Sequence, residues 1–134
     1  MPFEITNPAN IDKPLGQYSH IVRVDAGKLL YISGQLANRQ DGSIVGLGDF
    51  EAQVAQSFEN MEAILNAENL GWNSVFQFRT YVTDARFIPR LHAWRLKNFP
   101  KLFGDNPYPS NTLLVVGGLV KEEFLFEVEA IAAY

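Results

Sequence analysis

Between residues 50 and 65 the apolar positions settle into a helical period. Phe50, Val54, Phe58, Met61, Ile64 and Leu65 recur at that spacing, while Glu51, Gln53, Gln56, Glu59 and Glu62 fall elsewhere around the wheel. Asp49 precedes the run as an N-cap, since a carboxylate there can accept from the unpaired N–H groups of the first turn, and Gly71 follows the end. Upstream the pattern is different. "FEIT" (Phe3 to Thr6) alternates and predicts an edge strand, and a proline-containing loop then runs through Pro14 and Gly16. "YSHIVRV" and "KLLYISGQ" are β-rich runs separated by the turn composition "DAGK", which predicts a hairpin. "NRQDGSIVGLGD" holds four turn signals around a short strand pair.

Downstream, "VFQFRTYVT" predicts a buried strand with Phe76, Phe78 and Val82 on one face and Gln77, Arg79 and Tyr81 on the other. "PRLHAWRLKNFPKLF" predicts a second helix broken near Pro100, because proline removes a helical hydrogen bond. "TLLVVGGLV" and "FLFEVEAIAA" are closing strands. In the last of them Phe124, Phe126, Val128 and Ala130 form one apolar face, so Glu127 and Glu129 share the other. No repeat or linker divides the 134 residues. The pattern predicts one α+β domain over residues 1–134, a mixed sheet with two helices on one face.

Composition narrows the function. With 47% hydrophobic residues and 13% aromatics the chain can build a core. It has no 18-residue apolar run, and "MPFEITNPAN" is mixed in character, so a soluble, untargeted protein with no membrane partner is expected. The absence of cysteine excludes disulfides, thiolate nucleophiles and cysteine zinc sites, and points to the cytoplasm. A net charge of −4 argues against a nucleic-acid partner. His20 and His92, without an HExxH spacing, predict no metal site.

Two stretches carry candidate chemistry. In "NPYPSNTLLVV" two prolines stiffen an extended lead-in that would hold Asn111 at the mouth of a site, with Tyr108 as part of its wall. Glu127 and Glu129, at i and i+2 on a strand, ordinarily form a solvated face. If that face is covered, one carboxylate gains a raised pKa and can serve as acid or base.

"GQYSH", "LLYISGQ", "DGSIVGLGDFEAQVAQSFENMEAIL", "TYVTD" and "FEVEAIA", in this order, resemble the RidA / YjgF family of reactive-intermediate deaminases from about Pro14 to Ala132. The resemblance implies a chorismate-mutase-like α+β fold assembled as a homotrimer, its sheets around a central barrel and its clefts between subunits. It also implies hydrolysis of enamines and imines, such as 2-aminoacrylate, to ketoacids and ammonia, with no metal or organic cofactor. By the same resemblance Tyr18 is the cleft tyrosine, Ser33 and Gly34 line the pocket, and Glu127 positions or activates water.

The chain departs from the family in two places. Where the family's deaminases carry a proline-alanine-arginine motif whose arginine grips the substrate carboxylate, Pro109, Ser110 and Asn111 stand here. Exchanging a guanidinium for a neutral amide should weaken carboxylate binding by about ten- to hundred-fold. Where an asparagine often follows the start of the second helix, "RFIPRLHAW" offers Leu91 or His92, and His92 reads as a surface or interface histidine or as a ligand contact. Arg79 and Arg23 are the cations that could replace the missing clamp, and each also reads as a partner for Glu127 or Glu129. Two functions follow. One is a cofactor-independent deaminase of a small imine, enamine or amine-catabolism intermediate that is neutral or carries its carboxylate away from Asn111. The other is a non-catalytic trimer that binds a small metabolite, or regulates a partner, through the same cleft. A ribonuclease reading has only an older family label behind it and the acidic charge against it.

Overall fold

A computed structural model of the chain describes residues 2–25 and 27–134. The elements are β1 (Phe3–Thr6), β2 (Ile21–Val24), β3 (Leu29–Gln35), α1 (Phe50–Ala67), β4 (Val75–Val82), α2 (Phe87–Phe103), β5 (Ser110–Val115) and β6 (Phe126–Ala133). β3, β6, β4 and β5 form a mixed sheet in that order. β4 and β5 are parallel, joined by the α2 crossover, and the other two pairs are antiparallel. Both helices pack on one face of this sheet, as the alternation of patterns predicts.

α1 starts where its sequence says. The Asp49 side chain accepts from Ala52 N–H at 3.1 Å, and Phe50, Val54, Phe58, Met61 and Leu65 are buried. The wheel misplaces one residue: Gln53 is fully buried as well. Its Nε2 donates to the Gly46 and Glu123 carbonyls at 3.0 and 2.9 Å, and its Oε1 accepts from Leu125 N–H at 2.9 Å. One buried amide thus satisfies three backbone groups and ties the lead-in of β6 to α1. The core above the sheet centres on Phe58, whose ring lies within about 6 Å of the rings of Trp72, Phe78, Trp94, Phe99 and Phe126.

Four expectations need correction. β2 and β3 do not form a hairpin: β2 pairs with β1, and β3 pairs with β6. The "DAGK" turn between them includes Ala26, which like Met1 of the opening stretch lies outside the described residues. The β1–β2 arm instead crosses one end of the sheet. Phe3 packs on Phe76 at the start of β4, Ser19 bridges to Ser110 at the start of β5, and Lys28 bonds Tyr134 beyond the end of β6. Next, α2 does not break at Pro100. Pro100 and Leu96 are both exposed, so the Leu96 carbonyl that loses its helical partner can turn to water. Finally, a register irregularity between Val75 and Gln77 shifts Phe76 out of alternation, leaving Val75, Phe78, Thr80 and Val82 as the buried positions of β4. The predicted strand pair near residue 40 is a single bridge, Asn38 to Ile44.

Candidate functional site

The helix-free face of the sheet gathers the acids. Alternation along β6 turns Glu127 and Glu129 there, and the antiparallel register sets them beside Tyr81 and Arg79 of β4. The Tyr81 hydroxyl donates to Glu129, and Arg79 lies 3.7 Å from the same carboxylate. Tyr81 is held protonated above the usual phenol range, chiefly by that hydrogen bond. Glu129, Arg79 and Ser33 line a cavity of about 270 Å³ with Tyr31, Gln77 and Ile131.

Glu127 sits apart from this network, toward β3. It makes no hydrogen bond or ion pair among the described residues, and burial pushes its carboxyl above the usual carboxylate range, with the charge of Glu129 adding to the effect. Its neighbour is Gly34, at the irregularity between Ile32 and Gln35 of β3. A Cβ added at Gly34 would lie 2.6 Å from the Glu127 carboxyl carbon. Glycine is needed here for room. Gly34→Ala should therefore leave the melting temperature within a few degrees, because a side-chain end can yield, while displacing the Glu127 carboxylate. Misplacement of that order costs about 10²-fold in rate where the group acts on substrate. Parallel melting and rate measurements check this, and undiminished activity would mean the carboxylate position is immaterial.

Asn111 does not share that face. It pairs in register with Phe78 and points with Thr80 toward α2. Its Oδ1 accepts from the Thr80 hydroxyl at 3.2 Å and from the Arg95 guanidinium at 3.3 Å. Within one chain, Asn111 and Glu127 therefore lie on opposite sides of the sheet. Arg79 lies on the Glu127 side, paired with Glu129 and across the sheet from Asn111 of the same chain, and Arg23 pairs with Glu4 at 3.8 Å.

The remaining expected site residues scatter around Asn111. Tyr108 packs its ring on Phe99 and Phe103, closing the core. His92 is partly buried on α2 against Gly16, and burial, then the Arg95 charge, lowers its pKa. Tyr18, in the loop that Ser19 pins to Pro109 and Ser110, accepts from Leu15 N–H through its hydroxyl at 3.1 Å. Leu91 is fully buried and unavailable to a ligand.

Arg95 escaped the reading of the sequence. The signal was present: the buried stripe of α2 runs Leu91, Arg95, Phe99, Phe103 at i+4 steps, with one cation inside it. Among the described residues no cluster of three or more His, Cys, Asp or Glu side chains could hold a metal ion. No helix is long and apolar enough to cross a membrane.

Residues 9–134 match the family model described as endoribonuclease L-PSP. A RutC family protein of Pyrococcus horikoshii is 32% identical over 130 residues, covering 96% of each chain. A protein of Dermatophagoides farinae named 2-iminobutanoate/2-iminopropanoate deaminase is 25% identical over 130 residues, 97% of this chain and 95% of its own. The solved structure of YyfB from Yersinia pestis, described as a protein of unknown function of the conserved Rid family, superposes over 100% of both chains with a TM-score of 0.90 at 29% identity.

Proposed function

From the premise that the chain belongs to the Rid, or endoribonuclease L-PSP, family, we propose that it is a cofactor-independent hydrolase of a small imine or enamine, releasing ammonia. The observation that carries this reading is Glu127: a carboxyl raised by burial, without a partner among the described residues and backed by a glycine that leaves room only for it. The deaminase name of one relative supports the reaction class.

The chemistry needs little more. Water adds to the carbon of a protonated imine while the Glu127 carboxylate takes the proton that water gives up. The resulting carbinolamine receives that proton on nitrogen, the C–N bond breaks, and a carbonyl compound and ammonia leave. An enamine enters the same path after protonation at carbon. Tyr18 contributes a donor, since its oxygen accepts from Leu15 and its own proton remains for a ligand. Ser33 and Gly34 form the floor beside Glu127.

We place the site between copies of the chain in a homotrimer. The helix-free face supports this, because Tyr31 on β3 is 70% exposed and Leu114 on β5 about half exposed, flanking the polar centre. A covering copy would bury them and dry Glu127 further. The cysteine-free composition supports a cytoplasmic location.

Because Glu127 acts ionised, the rate should rise with pH through its raised pKa. Glu129→Gln removes the nearby like charge and should move this acid limb to lower pH; a limb that stays in place would mean another group titrates. The same shift makes the folded chain bind this proton more tightly than the unfolded chain. Its contribution to stability is therefore present at acid pH and lost as pH rises through the folded value. Ammonia release from a panel of freshly generated imines tests the reaction class. Binding of the same compounds with no gain over buffer would leave the non-catalytic reading.

A further inference from the structure

Arg95 is an unusual residue to bury. It is 1% exposed and lies over the Phe99 ring at 5.4 Å, and no carboxylate comes within ion-pair distance among the described residues. One terminal nitrogen donates to Thr80 Oγ1 at 3.2 Å and to Asn111 Oδ1 at 3.3 Å, while Nε is buried with no partner. Burial pulls its pKa down only to about 10, so it remains a cation at neutral pH. A buried charge without a counter-ion is costly. The other buried positions of the α2 stripe, Leu91, Phe99 and Phe103, are all apolar.

The contacts also fix which way Asn111 faces. A guanidinium only donates, so the atom it meets must be the amide oxygen, and the Thr80 hydroxyl donates to that same oxygen. The Asn111 Nδ2 group is therefore turned away from Arg95. It has no partner among the described residues, and it is absent from the buried unpartnered atoms, so it keeps some accessible surface. A cation hydrogen-bonded to an amide oxygen draws electrons from the amide and makes its N–H groups stronger donors.

We propose that Arg95 is a positioning residue that turns Asn111 into an oriented, cation-backed donor for an anionic oxygen of the ligand, a carboxylate in preference to its neutral amide. This deepens the proposed function and rests on it for the identity of the ligand. The positive charge that an arginine at position 111 would present directly stands one residue deeper, on the helix. Two guanidiniums could not share the place without mutual repulsion, which is why asparagine suits position 111 when Arg95 is present.

The test reads binding rather than turnover, so it can fail independently of the deaminase reading. Pyruvate and its neutral counterpart pyruvamide are titrated calorimetrically into wild type, Arg95→Met, Arg95→Lys and Asn111→Asp. Wild type should favour pyruvate. Arg95→Met should weaken pyruvate by about ten-fold and pyruvamide by much less, with an unchanged or higher melting temperature because an apolar side chain replaces an unpaired buried charge. Arg95→Lys should restore part of the pyruvate preference. Asn111→Asp should neutralise Arg95, raise the melting temperature and abolish pyruvate binding. Wild-type pyruvate affinity in Arg95→Met or Asn111→Asp overturns the proposal, as does a wild type that binds neither probe. Should Arg95→Met fail to fold, the lysine and aspartate variants decide by the same criteria.

Discussion

Replacing Glu127 with alanine is expected to lower imine hydrolysis by about 10²–10⁴-fold while the fold survives, the range typical of losing a positioned acid or base. The survival follows from surroundings. Glu127 makes no hydrogen bond or ion pair among the described residues, and its ionised form is disfavoured by burial and by Glu129, so its removal strands no partner. The loss of rate follows from chemistry, because addition of water to an imine and departure of ammonia each move a proton. Glu127→Gln sharpens the experiment by keeping the shape and removing the proton acceptor. Equal damage from both variants identifies proton transfer as the role. Full activity in glutamine with loss in alanine would instead assign Glu127 a packing or hydrogen-bonding task. Glu129→Ala is the contrast: it frees Tyr81 and Arg79 but leaves the acting carboxylate in place, and a smaller effect is expected.

Gln53→Leu should be the most destabilising single change of polar to apolar in the chain. The substitution suits the apolar stripe of α1 by size, and on hydrophobic grounds alone it would look favourable. It nevertheless removes the partners of Leu125 N–H and of the Gly46 and Glu123 carbonyls together. A fully buried group left unpaired costs roughly 1–3 kcal/mol, and for these three part-buried groups the sum should reach about 3 kcal/mol. Against a typical total of about 5–15 kcal/mol this is a large share, measurable as a fall in the urea midpoint at constant slope. A loss below about 1 kcal/mol would show that these groups find water. Gln53→Glu separates the contributions, because a glutamate keeps the acceptor for Leu125 but faces two carbonyls with a second acceptor. Its stability should recover on acidification, when a protonated carboxyl can again donate. Since the tether ends two residues before Glu127, partial unfolding of this lead-in would lower activity before the global transition.

The parts of the fold that were legible in the sequence are those fixed by local period. Phe50 to Leu65 declared α1 and Asp49 its start, and the alternation through Phe126, Val128 and Ala130 turned Glu127 and Glu129 to one face. Non-local choices were hidden. The turn signals around residues 25–28 mark a change of direction without naming a partner, and β2 found β1 while β3 found β6. Pro100 looked disruptive because its exposure could not be read from its identity. Gln53 and Arg95 were misjudged or missed for one reason: polarity suggested the outer face, whereas their partners lie outside their own helices, 7 to 72 positions away. For the proposed site, the family resemblance singled out Tyr18, Ser33, Gly34 and Glu127. Asn111 was read as the loss of a charge, and only its contact with Arg95 shows a cation standing behind it.

The most direct measurement is ammonia release from a freshly generated imine in the presence of increasing wild-type protein, followed at neutral pH against spontaneous hydrolysis. The account predicts a rate that rises in proportion to protein and falls to near the spontaneous rate with Glu127→Gln. A rate that stays at the spontaneous value across the imine panel, in protein shown by thermal shift to bind the same compounds, would contradict it and leave a binding protein in its place.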